Sequence, residues 1–408
     1  MRIKLYVGVV LAALIAAPVQ AKDLFTLTAT IDNGTTVETA TVSFDAIENI
    51  VDSVDSQTLD TLVANYTETS EATLALDIRG LTSYVTYASG SSELVFTVPS
   101  LNITKTFPGT TRDESQQMFE DYLETDGGGI LQDILQELAA TTPIDPVAGN
   151  PNSLMAVMGA SDFSNGTDIG NGQAVEGQAA TGNSFGMGLR FGSYSAGDYD
   201  QSVYSLPIKY TFRLDSDPRK QVIVDLPITY IDTEGSTSYA VSLGLGYRFP
   251  INDDWSLTPA VRAGAAGSVD LGSAAIIYSG SLTSNYNLYF DDIKVSIGNM
   301  ASQMKTTSVS AGDYSIDYDL SNTMIKNGVG FEGLVDKTIF GNPTSWQFDV
   351  ANTLFSGDEL YVDNYFDISA SYGTRATETA LDNMRIGLTY TAGNNSYNGF
   401  QINFGYTF

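Results

Sequence analysis

The stretch GFQINFGYTF occupies residues 399–408, and its side chains alternate between apolar and polar at nearly every step. The apolar set is Phe400, Ile402, Phe404, Tyr406 and Phe408. The set between them is Gln401, Asn403, Gly405 and Thr407. Successive side chains of a β-strand point to opposite sides, so this period of two predicts a strand with one apolar and one polar face.

The same alternation recurs through the second half of the chain. It is clear in VYSLPIKYTFR (203–213), YAVSLGLGYRF (239–249), WSLTPAVRAG (255–264) and NMRIGLTYT (383–391). We count about twelve such segments, centred at about residues 188, 208, 226, 243, 260, 278, 296, 328, 349, 368, 387 and 403. The eighth, IDYDLSNTMIKNGVGFEGL (316–334), has the least regular pattern.

The residue types on the two faces favour a membrane barrel over a soluble sandwich or barrel. A soluble protein would bury its apolar faces in a core. Here the polar faces consist of Gly, Ser, Thr and charged residues, as a water-filled lumen requires. Aromatic residues lie near the strand ends, where interfacial girdles are expected: Tyr204, Phe212, Tyr239, Tyr247, Phe249, Trp255, Trp346 and Tyr390.

The chain begins with features of a secretory signal. A short basic start, MRIK, precedes the apolar run LYVGVVLAALIAA and the small-residue motif VQA. The run is shorter than the roughly 20 residues that a membrane-spanning helix needs. We therefore expect cleavage after Ala21, a signal peptide over 1–21, and export of the remainder.

Residues 22–150 are expected to form a small acidic α+β domain. Its predicted strands are LFTLTATI, TATVSF, ATLALDI, SYVTYA, ELVFTVP and LNITKTF. Thr111 and Glu114 form a capping-box pattern that predicts a helix over Ser115–Leu123, and Gly127–Gly129 is expected to break the chain. An apolar stripe at helical spacing follows, either facing a core or offered to a partner: Ile130, Leu131, Ile134, Leu135 and Leu138.

Residues 151–182 read as a linker, because the stretch 164–183 is rich in Gly, Asn and Ala. The barrel would then occupy 183–408. Residues 22–182 contain 4 basic and 24 acidic residues, within a chain whose formal net charge is −29. This balance argues against nucleic acid and against anionic lipid headgroups as partners of the first domain.

The second half resembles two features of Gram-negative outer-membrane proteins. The closing pattern that ends on Tyr406 and Phe408 resembles their C-terminal assembly signal. Twelve strands behind a separate exported domain resemble the autotransporter β-domain, a likeness over about residues 183–408 that rests on strand number, order and ending. It implies a location in the outer membrane, with outer-membrane lipid and the barrel assembly machinery as partners. Autotransporter passengers are usually long, repetitive β-helices, whereas residues 22–150 are short and not repetitive.

The resemblance also orients the barrel. With an even number of strands, both ends of the barrel segment lie on the periplasmic side. The turns LDSDPRK (214–220), FPINDDW (249–255) and YFDD (289–292) are then periplasmic, and SYSAGDYD (193–200) and YTAGNNSYN (390–398) face outside.

The composition excludes several kinds of chemistry. The chain has no His and no Cys, so His-based zinc sites and Cys nucleophiles cannot form. The phospholipase, lipid A deacylase and omptin-like protease families of outer-membrane barrels use a catalytic His. We therefore expect no enzyme activity and no cofactor or metal site. The acidic pairs are interpreted as solvated turns rather than Ca²⁺ ligands: Asp253–Asp254, Asp291–Asp292, Asp317 with Asp319, and Asp358–Glu359.

The polar faces of the strands carry more basic than acidic residues. The basic residues predicted to face the lumen are Arg190, Lys209, Arg213, Arg248, Arg262, Lys294, Lys326 and Arg385. The acidic residues on the same face are Asp225, Glu332, Asp349 and Asp367. A charged residue on such a strand has to avoid lipid, which explains the inward placement but not the excess of positive charge.

Two hypotheses explain this basic wall. It could select anions in an open pore. Alternatively, it could hold the segment NPNSLMAVMGASDF (150–163) as a helix in the lumen, with Ser153 as its cap and with Asp162, Asp168 and Glu176 supplying negative charge. The same segment could instead pack on the N-terminal domain.

Three functions remain open at this point. The chain could be a barrel that anchors or displays a small domain, a porin-like diffusion channel with a periplasmic or plug domain, or an adhesin that acts through its N-terminal domain. The sequence does not fix the side of the membrane that residues 22–150 occupy, or their partner.

Overall fold

The computed structural model describes residues 23–44, 46, 61–64, 66–125, 128–170, 182–311, 314–339, 341–375 and 383–407. The expected signal segment with its cleavage position, Glu176 and Phe408 lie outside this part of the chain. The described residues form an N-terminal sheet domain, a closed barrel and a helix that connects them.

The sheet domain contains six antiparallel strands in the order β2-β1-β3-β4-β5-β6. They are β1 (Phe25–Asp32), β2 (Val37–Phe44), β3 (Glu71–Ile78), β4 (Leu81–Tyr87), β5 (Leu94–Val98) and β6 (Ile103–Phe107). The six predicted strands and the small domain before the barrel are confirmed. The strands alternate, so that Leu27, Leu74 and Phe96 are buried on one side of the sheet. The other side carries mainly half-buried or exposed threonines, among them Thr28, Thr41 and Thr73.

Two helices follow, α1 (Arg112–Thr125) and α2 (Gly128–Thr141). Phe119 of α1 and Ile130 and Leu138 of α2 belong to the apolar core of the sheet domain. Leu135 of α2 belongs to a second core that continues into the barrel. The predicted stripe therefore divides its apolar side chains between two packing surfaces, because α2 lies between the sheet and the barrel.

The start of α1 shows a shifted capping box. The Glu114 N–H donates to Thr111 Oγ1 at 3.1 Å, as the pattern predicts. The Glu114 carboxylate accepts from the N–H of Thr110 at 2.6 Å, one residue before the expected donor, and from the Thr110 hydroxyl. The helix begins at Arg112, three residues earlier than expected. The glycine run was expected to interrupt helical structure over Gly127–Gly129, but α2 already begins at Gly128.

The second half forms a closed antiparallel barrel of twelve strands, as predicted. They are β7 (Ser184–Ala196), β8 (Tyr199–Leu214), β9 (Asp217–Thr233), β10 (Ser236–Pro250), β11 (Trp255–Ser268), β12 (Ser273–Phe290), β13 (Ile293–Thr307), β16 (Ser321–Ile339), β17 (Asn342–Gly357), β18 (Asn364–Thr374), β19 (Asn383–Gly393) and β20 (Asn398–Thr407). A small hairpin, β14 (Val309–Ala311) and β15 (Tyr314–Ile316), lies between β13 and β16. The last strand closes on the first, where Ile402 pairs with Phe191.

The barrel is apolar outside and polar inside. Leu243, Val261 and Ile402 point outward and are 56%, 61% and 45% exposed. Ser242, which precedes Leu243, and Arg262, which follows Val261, point inward and are buried in the lumen. Phe400, Phe404 and Tyr406 of the closing strand are also exposed on the outside.

The barrel has two distinct ends. The terminal end is where β7 begins and β20 ends, and it has short turns such as 215–216 and 291–292. The loop end carries the connection 308–320, with its hairpin, and the connection 358–363. The turns predicted to face the periplasm all lie at the terminal end, and SYSAGDYD and YTAGNNSYN lie at the loop end.

The third helix, α3 (Leu154–Gly166), is inside the barrel. Among the described residues, no helix combines the length and apolar character needed to span a membrane.

Candidate functional site in the barrel lumen

Helix α3 packs against one wall of the lumen, formed by β10, β11, β12 and β13. Its apolar side chains Met155, Met158 and Phe163 are at most 2% exposed. Glycines in the wall make room for them: a Cβ at Gly264 would lie 2.9 Å from Leu154, and one at Gly298 would lie 2.9 Å from Phe163. The helix is therefore fitted to this wall rather than loosely enclosed.

The helix runs from the loop end to the terminal end. Just before it, the Asn152 amide donates to the hydroxyl of Tyr397, a loop-end residue, at 2.6 Å. Just after it, Asp168 contacts Arg248 and Lys294, which lie near the terminal end. Thirteen helical residues rise about 20 Å at 1.5 Å per residue. The chain thus crosses the lumen between the sheet domain and the start of β7.

The helix start is stabilised differently from our expectation. Ser153 occupies the N-cap position, but its side chain makes no capping bond to the helix. Its hydroxyl donates to the carbonyl of Asn150 at 2.7 Å. The first helical N–H groups, of Leu154 and Met155, instead donate to the carbonyls of Pro146 and Val147 at 2.9 and 3.1 Å. The chain folds back on the helix start, so that backbone carbonyls replace the predicted side-chain cap.

A buried charge cluster fixes the middle of α3. Arg262 of the wall donates from Nε and Nη2 to Asp162 Oδ1 at 2.9 and 2.8 Å, and from Nη2 to Asp225 at 2.7 Å. The hydroxyl of Ser281 donates to the second Asp162 oxygen at 2.8 Å. All these side chains are less than a tenth exposed. One guanidinium is shared by a helix carboxylate and a wall carboxylate, which joins helix and barrel.

A second cluster fixes the point where the chain leaves α3. Asp168 pairs with Arg248 Nη1 at 3.2 Å and with Lys294 Nζ at 3.5 Å. The Asn287 amide donates to Asp168 at 2.9 Å, and Lys294 also pairs with Glu332 at 3.0 Å. Asp168 therefore lies among two cations and one amide donor at the terminal end of the lumen.

The other basic residues of the predicted set have different surroundings. Lys326 pairs with Asp367 at 2.9 Å. Arg213 donates to the Ser184 hydroxyl at 3.3 Å, and Arg385 donates to the Ser345 carbonyl at 3.4 Å. Asp349 accepts from Gln347 and Ser369. Lys209 and Arg190 lie on the inward face near β20. Two arginines were expected to hold the segment. Arg262 contacts α3, whereas Arg190 makes no ion pair with the described residues of the segment.

The sheet domain docks on the loop end through a junction that the sequence did not reveal. Arg79, in the turn between β3 and β4, donates from Nη1 to Asp145 at 3.2 Å and to Ser273 of the barrel rim at 3.0 Å. The hydroxyl of Tyr318, beyond the β14–β15 hairpin, donates to the same Asp145 oxygen at 2.8 Å. All four side chains are at most 2% exposed. Burial beside Asp145 raises the pKa of Tyr318, which stays a neutral donor.

Backbone hydrogen bonds reinforce this junction. The N–H of Tyr361 donates to the Ala139 carbonyl at the end of α2 at 2.9 Å. The N–H of Val362 donates to the Gly149 carbonyl at 3.0 Å. Leu271 of the rim is fully buried in the core of the sheet domain. The sheet domain is therefore packed directly on the loop end of the barrel.

The acidic pairs lie in turns, as interpreted, and several have protein partners. Asp253 pairs with Arg219 at 2.7 Å, Asp358 accepts from the Ser321 N–H at 2.5 Å, and Asp317 accepts from the Asp319 N–H at 3.0 Å. Within the described ranges, no three acidic side chains are grouped as a metal site requires.

Comparisons with known proteins show likeness only at the level of fold. No protein-family model matches the sequence, and no curated protein matches it. The β-domain of the Bordetella autotransporter BrkA is similar with a TM-score of 0.44 and 16% identity, over 55% of this chain and 98% of that one. The translocator domain of autotransporter NalP from Neisseria meningitidis gives 0.42 and 15%, over 62% and 94%. An outer membrane channel from Pseudomonas putida gives 0.37 and 10%, over 57% and 96%. Autotransporter translocator domains and an outer membrane channel are among the structural neighbours of this chain.

Proposed function

We propose that this chain is an outer-membrane anchor that displays its sheet domain at the loop end of the barrel. One observation carries the proposal: α3 crosses the lumen and joins a domain at one end to the first strand at the other. Asp162 binds this segment to Arg262 of β11, and Asp168 binds it to Arg248 of β10, nearer the terminal end of the same wall. A chain fixed in this way holds the domain at the opposite end of the barrel from the start of β7 and the end of β20.

The outer surface supports placement in a membrane. A soluble barrel would not leave Leu243, Leu282 and Leu388 half-exposed on one continuous surface. The aromatic residues Tyr239, Trp255 and Trp346 are also exposed on the outside, near strand ends. Insertion by the barrel assembly machinery, with outer-membrane lipid around the barrel, belongs to this proposal.

A porin-like channel is the competing function, and the adhesin hypothesis adds a partner to the display function. An open channel needs a lumen through which solutes can pass, whereas α3 fills much of this lumen with buried side chains. For a channel, α3 would have to leave the lumen together with the sheet domain, which would then act as a removable plug. The two functions predict different sides of the membrane for the domain.

Cysteine labelling of intact cells separates them, because the chain has no native Cys. Val37→Cys places a thiol on the sheet domain, where Val37 is 64% exposed. Asp253→Cys places one in a terminal-end turn, where the Asp253 side chain is 95% exposed. With a membrane-impermeant maleimide, display predicts labelling of the first variant on intact cells and of the second only after lysis. Protection of Val37→Cys in intact cells would instead favour a periplasmic plug.

A further inference from the structure

Helix α3 leaves a gap on the side of the lumen that it does not touch. It packs on β10–β13, and opposite lies the wall of β18, β19, β20, β7 and β8. Between this wall and the helix is a cavity of about 50 Å³. Arg190, Asp367, Thr389 and Gln401 line it from the wall, and Val157 and Ala160 line it from the helix. We call it the seam cavity, because it lies beside the pairing of β20 with β7.

The sequence explains the gap. The inward positions of β7 on either side of Arg190 are Gly188 and Gly192, and the space beside Gly192 is taken by the ring of Tyr194, which also lines the cavity. On α3, the half-exposed residues Val157, Ala160 and Ser164 follow one another at helical spacing and are small. Small residues of α3 therefore face the cavity, whereas Met155, Met158 and Phe163 fill the opposite side of the helix.

Arg190 differs from the other lumen arginines and lysines in this cavity. In the part of the chain that the structure describes, its guanidinium has no hydrogen bond and no carboxylate oxygen within ion-pair distance. Its Nε is buried without a partner, as are those of Arg248 and Arg385. By contrast, Arg262, Arg248 and Lys294 each pair with a carboxylate.

The carboxylate that lines the seam cavity is already engaged. Asp367 accepts from Lys326 Nζ at 2.9 Å on one oxygen and from the Thr391 hydroxyl at 2.8 Å on the other. Its charge is matched by Lys326. The Thr389 hydroxyl accepts from the Asn403 amide at 3.0 Å, which leaves its own proton for another acceptor. The cavity thus presents a charged donor and a hydroxyl donor whose acceptor the protein does not supply.

We propose that the seam cavity binds a small monovalent inorganic anion such as chloride, held by the Arg190 guanidinium and the Thr389 hydroxyl. Arg190 is half-buried, its Nε is shielded from water and its guanidinium has no carboxylate partner, so a small anion beside it is favoured because arginine keeps its proton. The volume exceeds the roughly 10–15 Å³ that one water needs, so an ion with a water molecule fits. The proposal depends on α3 occupying the lumen and is independent of the side on which the sheet domain is displayed.

Anion-dependent stability and direct observation of the ion test this site. The full chain, folded in detergent, is unfolded by heat in sodium chloride and in sodium gluconate at equal ionic strength, since gluconate is too large for the cavity. We expect chloride to raise the midpoint by about 2–4 °C, as for a ligand that binds only the folded state. Arg190→Gln should remove this difference and Arg190→Lys should retain part of it. Arg219→Gln, which changes an exposed arginine paired with Asp217 in a terminal-end turn, should leave it unchanged.

Crystals grown in sodium bromide provide the second measurement, which does not depend on the variants being stable. An anomalous bromide peak beside the Arg190 guanidinium is expected. Equal midpoints in the two salts together with no bromide peak would overturn the proposal. The cavity would then contain only water, which would connect Arg190 to Asp367.

Discussion

The sheet domain and the barrel are built from the same alternation of apolar and polar residues, but the apolar side faces inward in the sheet domain and outward in the barrel. In the sheet domain, Leu27 and Leu74 point inward, are fully buried and meet helices. In the barrel, Leu243 and Ile402 point outward and are about half exposed, whereas Arg262 and Asp225 point inward and are buried. The period of two therefore predicts strands in both regions but does not by itself say which face is the interior.

The polar positions distinguish the two regions. The polar side of the sheet carries threonines such as Thr28 and Thr41, which suit contact with water. The polar side of the barrel carries charged residues that pair within the wall, as Lys326 does with Asp367, and with α3, as Arg262 does with Asp162. In the sheet domain the buried Arg112 donates to backbone carbonyls and the buried Arg79 belongs to the junction, whereas in the barrel charge also connects the helix to the wall.

The largest effect that this comparison predicts comes from removing the shared cation of the lumen. Arg262→Met leaves Asp162 and Asp225 buried without their partner, and breaking a buried pair in this way typically costs about 3–5 kcal/mol. Both Trp residues, Trp255 and Trp346, belong to the barrel, so Trp fluorescence during urea unfolding reports on the barrel alone. Adding Asp162→Asn and Asp225→Asn should recover most of the loss.

The matched control is Lys305→Met, at an exposed pair with Asp319 whose atoms are 4.0 Å apart. Exposed pairs contribute about 0–1 kcal/mol, so little change is expected. Equal losses for Arg262→Met and Lys305→Met would show that α3 is not held by its charges.

The next effect tests the inverted faces directly. Leu243→Lys puts a charge on the outside of the barrel near the middle of β10, which costs about 2–4 kcal/mol if that surface contacts lipid. Thr41→Lys puts the same charge on the exposed side of the sheet, where surface changes are usually within about 0.5 kcal/mol. Urea unfolding of the barrel in lipid vesicles measures the first. The unfolding of the sheet domain, followed by circular dichroism, measures the second.

A barrel that tolerates Leu243→Lys as easily as the sheet tolerates Thr41→Lys would not contact lipid at that position. The interpretation of the outer surface would then be wrong, although the fold would be unaffected.

The third effect concerns the junction where the two regions meet. Tyr318→Phe removes one hydrogen bond to the buried Asp145, worth about 1–2 kcal/mol. Undocking of the sheet domain exposes the amides of Tyr361 and Val362, which donate to α2 and to the turn after it. Their hydrogen exchange should become about 5–30 times faster, since 1.4 kcal/mol is tenfold.

Tyr278→Phe is the control, because Tyr278 points outward from the barrel and is 54% exposed. Unchanged exchange at Tyr361 in both variants would mean that the junction does not open by undocking. Faster exchange throughout β1 would mean that Tyr318→Phe unfolds the domain rather than releasing it.

The sequence predicted strands well and partners poorly, for a physical reason. Period and residue type are local, so the six strands of the domain and the twelve of the barrel could be placed in advance. The pairing of Asp168 with Arg248 joins residues 80 positions apart and depends on how α3 is rotated in the lumen. The backbone acceptors at the start of α3 depend on a turn at 146–150 that has no marked sequence pattern. The docking of Arg79 likewise exists only once two separately predictable regions meet.

The smallest effect belongs to the sheet domain and is confined to its surface. The Thr110 hydroxyl and N–H, which donate to the Glu114 carboxylate, lower its pKa. A carboxylate with a lowered pKa stabilises the folded state above its unfolded pKa, about 4.3 for Glu, and loses that contribution as the pH falls through the folded value. Glu114→Gln should therefore reduce the stability of the sheet domain slightly at pH 7 and leave it nearly unchanged in acid. Glu120→Gln, in the middle of α1 and away from the cap, should retain the wild-type acid dependence. Thermal unfolding between pH 2 and 7, followed by circular dichroism, measures the difference. A large loss at Glu114 would mean that the first turn of α1 contributes to docking. The contrast between a locally stabilised domain and a charge-connected lumen would then be weaker.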